Sequence, residues 1–267
     1  MKNKSLLLLA WTLFNLFLMG VIFFISISVH AEEFKLPSDI QFVGTVVNGA
    51  PQWQWYVHPE AQNWAADWDA NASEGVTENG ETVFSYTQRN SKGMNAFVQG
   101  YTGNPVAAGE LGLTPVVTVM NANGQAVTLN GNTEPQKIDI SAIGHLSSGE
   151  TTNGVMSLNI LSAVAVAYKK RDVSTEWYTE SYEGSVGWAA TSLILDNVGN
   201  IYKNNGAGNH IRHDSSYDIL AVLQGLSEPN AYSIMASFTS HMRDVQTRWK
   251  VVPDSWEATL IAQVQLQ

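Results

Sequence analysis

The segment that decides the fold is EFKLPSDIQFVGTV, residues 33–46, in which apolar and polar side chains alternate. Its even positions include Phe34, Leu36, Ile40, Phe42 and Val46. Side chains of a β-strand point alternately to opposite faces, so the segment predicts a strand with one apolar face. That face has to be buried, and two interpretations fit. The strand begins the chain's own sheet, which the pattern alone favours, or it completes the sheet of a neighbouring molecule by strand addition.

The residues before this segment predict a secretory signal peptide, residues 1–31. The chain opens Met-Lys-Asn-Lys-Ser, continues as an apolar run from Leu6 to about Ile27 and then reads Ser-Val-His-Ala. An uncleaved membrane anchor is the alternative, because the run approaches the roughly 20 residues that span a bilayer. The Val-x-Ala ending and the acidic residues after it favour cleavage after Ala31 and therefore an exported protein.

Composition excludes one class of partner and one source of stability. The net charge of −10 makes nucleic acid an unsuitable partner, because phosphate binding requires a basic surface. The chain has no cysteine, so an exported form gains no disulfide and depends on its sheet and core.

Most of the remaining chain consists of short alternating segments separated by turn residues, which predicts an all-β antiparallel sandwich. The predicted strands include 52–58, 82–87, 94–101, 113–120, 127–129, 154–168, 246–252 and 257–267. Asn-Ala-Asn-Gly at 121–124 predicts a hairpin turn, and the second half of 154–168 predicts a strand buried on both faces. An aromatic and Gly/Asn-rich insertion spans about 171–228, and its residues 218–226 have helical spacing.

Two patterns in the insertion suggest chemistry, but each has a simpler interpretation. His210, His213 and Asp214 could bind a metal, yet their Gly/Asn-rich surroundings indicate a solvated loop. The acids Glu176, Glu180 and Glu183 could act as glycosidase carboxylates, yet they also suit a solvated face. We therefore expect no enzyme, no metal site and no cofactor.

The aromatic residues of the insertion form a separate ligand-binding hypothesis. Aromatic rings with a few polar groups are typical of small-ligand sites, and such rings can stack on sugars. The candidate residues are Trp177, Tyr178, Tyr182, Trp188 and Arg212. The alternative is that these side chains pack the insertion onto the core.

The two ends of the chain together resemble fimbrial subunits of the K88 type, which enteric bacteria assemble by the chaperone–usher route. The alternating arm is followed by Trp53-x-Trp55-x-Val57, and the chain ends with Thr247-Arg248-Trp249 and a last alternating segment. The lack of cysteine also fits this family. The resemblance is carried by about 40–58 and 245–267.

The resemblance implies an incomplete immunoglobulin-like sandwich whose last strand is supplied in trans. A periplasmic chaperone lends that strand during export, an outer-membrane usher mediates assembly, and in the fibre the arm of the next subunit replaces it. Residues 32–47 would be the donor arm, with Phe34, Leu36, Ile40, Phe42 and Val46 as its apolar face, and 48–267 the sandwich. The acceptor strand would carry Leu260, Ala262, Val264 and Leu266.

With the resemblance included, the donor interpretation becomes the preferred one. It implies a structural and adhesive subunit of a cell-surface fimbria, with neighbouring subunits as partners and host glycoconjugates as receptors. The alternative is a self-sufficient secreted β-sandwich that binds carbohydrate as a monomer.

Overall fold

The computed structural model describes residues 50–86, 95–170, 177–203, 209–213, 218–227 and 231–267, and over these the chain is mostly antiparallel β-structure. The predicted leader and donor arm lie outside the described residues. The strands are β1 (Trp53–Val57), β2 (Val76–Glu78), β3 (Glu81–Ser85), β4 (Asn95–Thr102), β5 (Pro115–Met120), β6 (Ala126–Thr128), β7 (Asn132–His145), β8 (Thr151–Lys170), β9 (Trp177–Ser181), β10 (Asn209–His213), β11 (Ala231–Trp249), β12 (Ser255–Ala258) and β13 (Ala262–Leu266). The helices are α1 (Pro59–Ala65), α2 (Ser185–Lys203) and α3 (Ile219–Leu223), with a 3-10 turn at Ala72–Glu74.

The strands form two sheets that share one core. The larger sheet has the main order β1-β4-β11-β8-β7-β12, with β2, β3, β9 and β10 at its sides, and the smaller has the order β13-β5-β6. Ile140, Leu158 and Phe238 of the larger sheet belong to the same buried cluster as Val117 and Val119 of the smaller one. The predicted sandwich-like, all-β fold is confirmed.

The long strands β8 and β11 pair along nearly their whole length at the centre of the larger sheet. The second half of β8 is buried on both faces, as predicted. Val164, Val166 and Tyr168 join the core shared with the smaller sheet. Ala163, Ala165 and Ala167 on the opposite face form a second cluster with α2. Their small side chains let a helix lie close to the sheet.

Several boundaries differ from the sequence prediction. The 19-residue helix α2 was not predicted, although Val186, Ala190 and Ile194 have the i, i+4, i+8 spacing of a buried helical stripe. The expected helix within 218–226 is the short α3, capped by the Asp218 side chain, which accepts a hydrogen bond from the Ala221 N–H. The final alternating segment is divided between β12 and β13, and the strand expected at 246–252 is the end of β11.

Local turn chemistry explains the hairpin between β5 and β6. The Asn121 side chain accepts hydrogen bonds from the N–H groups of Asn123 and Gln125, each at 2.9 Å. Gly124 adopts a φ of 72°, in the left-handed region that glycine enters without steric cost. The turn predicted at 121–124 is therefore confirmed.

Two tryptophans lie directly over glycines of neighbouring strands, and this arrangement gives a stability prediction. Trp249 is opposite Gly154, and Trp55 is opposite Gly100. A Cβ at Gly154 would lie 2.3 Å from Trp249 Cε3, and one at Gly100 would lie 2.4 Å from Trp55 Cε3. Trp249 is fully buried, whereas Trp55 is only half-buried.

We expect Gly154→Ala to lower the free energy of unfolding by about 1–3 kcal/mol, the usual cost of overpacking. Gly100→Ala is the matched control and should cost less, because the half-buried Trp55 is enclosed on fewer sides than the fully buried Trp249. Urea unfolding of the two variants beside the parent chain measures both values. An equal or larger loss for Gly100→Ala would contradict this account of the two pairs.

Candidate functional site

A groove of about 890 Å³ lies where the end of β11 meets α1 and the segment that leads into β13. Five aromatic rings of its lining form a continuous series, with neighbouring ring centroids 4.8–6.5 Å apart. In order they are Trp64, Trp68, Tyr86, Trp256 and Trp249. Leu158, Met242 and Leu260 add aliphatic surface. The groove can therefore take up apolar side chains.

Helix α1 forms one wall of the groove, and its sequence explains where it starts. The His58 Nδ1 atom accepts a hydrogen bond from the Glu60 N–H, and Pro59 occupies the first turn, where its missing N–H costs nothing. The Trp64 side chain is buried in the core, and the Trp68 Nε1–H donates a 2.7 Å hydrogen bond to the Trp64 carbonyl. The two indoles are thus held in fixed positions in the groove wall.

The opposite wall is the segment in which the chain passes from one sheet to the other. Strand β12 pairs with β7 in the larger sheet, and β13 pairs with β5 in the smaller one. Thr259 and Leu260, between these strands, line the groove. Leu260 is half-buried there and packs against the main core.

Strand β13 has a partner on one edge only among the described residues. Its register with β5 runs from Ala262 opposite Val119 to Leu266 opposite Pro115. Ala262 is fully buried, Val264 is half-buried, and Leu266 is 43% exposed. Of the four predicted acceptor-strand residues, Leu260 therefore lines the groove just before β13. Ala262, Val264 and Leu266 lie in β13, whose second edge has no partner among the described residues.

The other edge strand near this site is β1, whose partner is β4. The backbone just before it is firmly held. The Gln52 N–H donates to Asn104 Oδ1 at 2.7 Å, and the Gly103 N–H donates to the Gln52 carbonyl at 2.8 Å. The Trp53 Nε1–H donates to the Gly112 carbonyl at 3.0 Å. The predicted donor residues Phe34, Leu36, Ile40, Phe42 and Val46 themselves lie outside the described residues.

The predicted ligand-binding aromatics do not share one environment. Trp177 is only 2% exposed and packs beneath α2, with the Lys169 ammonium group over its ring. Tyr178 stacks on Tyr168 at 5.7 Å. Trp188, in contrast, is 54% exposed.

The remaining candidates occupy different positions. Tyr182 is half-buried beside the main core. Arg212 lies in β10, which pairs in parallel with β9, but its side chain is not described. Glu180 is buried and accepts a 2.8 Å hydrogen bond from the Tyr168 hydroxyl, whereas Glu183 is exposed. Glu176 and Asp214 lie outside the described residues, as do the side chains of His210 and His213.

Burial shifts the pKa of three groups, of which Tyr86 lines the groove. It raises the pKa of Tyr86, although the hydrogen bond to Thr247 opposes the shift. Burial, and then the Asp218 charge, raise the pKa of Tyr182. Burial, and then His58, lower the pKa of His241. The pKa of each of the three groups is therefore shifted in the direction that favours its neutral form.

Sequence reasoning did not identify the groove, because its lining comes from distant segments. Trp64 and Trp68 lie in a region without a steady period, and their aromatic density was the available signal. Across the described ranges, no three His, Cys, Asp or Glu residues cluster as a metal site would require. None of the helices in the described part of the chain is long and apolar enough to span a bilayer.

Comparison with known proteins identifies the class of the molecule. A search of curated proteins gives no match. The model of the K88 fimbrial family, described as fimbrial major and minor subunits, matches residues 25–267. That match covers most of the chain, including the segments 40–58 and 245–267 that carry the resemblance and the residues that line the groove. The chain therefore belongs to the K88 family of fimbrial subunits, structural proteins that polymerise with other subunits into a surface fimbria.

Proposed function

We propose that this subunit polymerises by donor-strand exchange. The arm 32–47 of one subunit enters the groove of the next, where it adds a strand to the free edge of β13. Before assembly, a periplasmic chaperone supplies that strand, and an outer-membrane usher catalyses the replacement. The observation that carries the proposal is a groove with five aromatic rings in its lining, next to the start of β13, whose outer edge has no partner among the described residues.

The chemistry of the groove matches that of the arm. Strand addition needs backbone groups for hydrogen bonding and pockets for alternate side chains. The outer edge of β13 offers the backbone groups, and the aromatic series of the groove, which is lined also by Leu260 just before β13, offers the apolar surface. Phe34, Leu36, Ile40, Phe42 and Val46 would supply the inward-facing side chains, while the polar positions between them face solvent.

A requirement for a chaperone follows from the same geometry. An unpaired edge beside an uncovered apolar groove promotes association of isolated chains. A protein exported with such an edge needs a temporary partner between the inner membrane and the fibre. This supports the periplasmic route expected for a chain with a leader at 1–31.

A pair of charge substitutions in the arm tests donor-strand exchange in the full chain. Phe42→Glu places a carboxylate on the apolar face and should abolish incorporation as an internal subunit, because burying an unpaired charge is costly. Gln41→Glu adds the same charge to the solvent face and should assemble normally. Electron microscopy and gel analysis of cell-surface fibres measure incorporation.

If both variants assemble equally well, the arm is not the donor strand. Chaperone-free expression then separates the alternative. A stable, soluble monomer whose Phe42→Glu variant is also stable would favour the self-sufficient carbohydrate-binding sandwich. Aggregation or degradation of the wild-type chain would agree with an incomplete sandwich.

We also propose that the subunit contacts host glycans through the outer face of α2. Trp188 is exposed, and Ser192 and Asp196 follow it at four-residue intervals and are also exposed. An exposed indole with a hydroxyl and a carboxylate beside it can stack on a sugar ring and bind its hydroxyl groups. Trp177 is a poor candidate for this contact, because α2 covers it.

Trp188→Ala should reduce binding of purified fibres to a glycan array by at least about tenfold, while fibre yield stays unchanged. A tenfold loss of affinity corresponds to about 1.4 kcal/mol. Val76→Ala removes another exposed apolar side chain, 59% exposed, and serves as the matched control. Equal glycan binding by the two variants would place the receptor site elsewhere.

A further inference from the structure

We propose that successive copies of this chain also touch body to body, through a specific head-to-tail contact. The loops that carry Leu111 and Leu226 in one copy would face the rim formed by Ile143, Val251 and Val252 in the next. This inference rests on the proposed donor-strand exchange, because the inserted arm sets which ends of the two bodies meet.

The first surface consists of two loops that pack against each other. The Gly109 N–H donates a 2.8 Å hydrogen bond to the Leu223 carbonyl. A Cβ added at Gly225 would lie 3.4 Å from the Ala108 Cβ, so the loops are in contact there as well. These loops carry Leu111 and Leu226, which are 76% and 73% exposed, more than any other large apolar side chain of the described residues.

The same loops lie beside the point where the arm leaves the body. Gly112 is next to Leu111, and its carbonyl accepts the hydrogen bond from Trp53 Nε1. The ring of Pro51 is close to Gly112, since a Cβ added to this glycine would lie 3.9 Å from the proline Cδ. We call this end of the body the arm pole. The end of β13 is also here, since the N–H and carbonyl groups of Thr114 and Gln267 pair with each other.

The second surface lies at the other end of β1 and β13, where the groove is. Val57, at the far end of β1, and Leu260, just before β13, both line the groove. Val252 belongs to the lining too and is 40% exposed, and the adjacent Val251 is 53% exposed. We call this end the rim pole. Strands β1 and β13 therefore connect the two poles in opposite directions.

Ile143 extends the apolar surface of the rim pole. Ile143 is 44% exposed, and its partner in β12 is Glu257, the residue that follows Trp256. The neighbouring Gly144 packs against Pro253, since a Cβ added to this glycine would lie 2.6 Å from the proline Cβ. Ile143, Val251 and Val252 thus flank one turn at the mouth of the groove.

The direction of the donor strand determines which poles meet. All strand pairs in both sheets are antiparallel within the described residues except β9 with β10. A donor that pairs antiparallel with β13 begins at the acceptor's arm pole and ends at its rim pole. The body attached to the donor's carboxyl end is consequently placed against the rim pole of the acceptor.

The link between donor and body is too short to keep the two poles apart. Only residues 47–49 separate Val46, the last apolar donor position, from Ala50, where the described body starts. Four Cα–Cα steps span at most about 14 Å. Asn104 also holds the Ala50 carbonyl through a 3.2 Å hydrogen bond from its Nδ2, so this end of the link is fixed to the arm pole.

The contact would be heterologous, with different surfaces on the two copies. When the rotation between neighbouring copies does not return to the first copy, such a contact generates a filament rather than a closed ring. Clustered exposed apolar side chains on both poles are the expected feature of surfaces that become buried in an assembly. Further copies of this chain would cover both surfaces, so no other partner is needed.

The absence of cysteine from the chain allows a direct test by cross-linking. Full-length chains with both Leu226→Cys and Val251→Cys are assembled into surface fibres and treated with a bis-maleimide. We expect a ladder of covalent multimers on a denaturing gel, because each copy offers one thiol at either joint. Leu226→Cys alone and Val251→Cys alone are the matched controls and should remain monomeric.

The alternatives give different results. If the double variant forms intact fibres but gives no ladder on the gel, the contact between bodies is overturned, whereas donor-strand exchange is not contradicted. Dimers from Leu226→Cys alone would also overturn it, because they require two arm poles to meet. If the double variant does not assemble, Leu111→Cys with Val252→Cys is read by the same criteria. Failure of donor-strand exchange is recognised separately, by equal assembly of the Phe42→Glu and Gln41→Glu variants.

Discussion

The antiparallel pairing of β8 with β11 is the constraint on which the other elements depend. The ladder runs from Ala231 opposite Lys170 to Trp249 opposite Gly154, so it extends through the whole body. Strand β7 continues it beyond β8, and β4 continues it beyond β11. The smaller sheet covers one face of this ladder and α2 covers the other. The pairing of β8 with β11 supplies the hydrogen-bond partners that their buried backbone groups need. The smaller sheet and α2 then pack on the two faces of the paired strands.

The groove is a consequence of how that ladder ends. Met242, Val245 and Trp249, from the last part of β11, form much of its inner surface. After Trp249 the chain turns into β12 and then leaves the larger sheet for the smaller one, so β13 becomes an edge strand. The open groove and the free edge therefore have a common origin. In a monomer this combination promotes aggregation, and the proposed donor-strand exchange would make it the joint between subunits.

Local sequence patterns were sufficient to predict those elements whose structure is decided by residues adjacent in the sequence. Alternation around Trp53 and Trp55 was enough to predict β1, and turn chemistry at Asn121 and Gly124 was enough to predict the β5–β6 hairpin. Helix α2 was harder to recognise, because its buried stripe of Val186, Ala190 and Ile194 is interrupted by glycine and an exposed tryptophan. Its stability comes largely from packing on an alanine-rich strand, which the sequence of the helix does not reveal.

Only the part of the candidate site that lies in one continuous segment of the chain could be predicted. The alternation of Leu260, Ala262 and Val264 marks one segment, and the structure places that segment beside the groove. The aromatic lining could not be deduced, because Trp64 and Trp249 meet only after the chain has folded. The different exposure of Trp177 and Trp188 is equally a tertiary effect. Helix α2 covers the first, and the second points away from the face of α2 that packs on the sheet.

A tethered donor strand changes how strong a contact between bodies has to be. If the arm is inserted as proposed, a link of three residues would keep the arm pole close to the rim pole, and their contact would become effectively intramolecular. Linked contacts of this kind gain a high effective concentration without new interactions. An apolar contact too weak to join two free bodies can therefore still restrict their relative rotation in the fibre. The arm would supply the strength of each joint, and the surfaces beside it would set its direction.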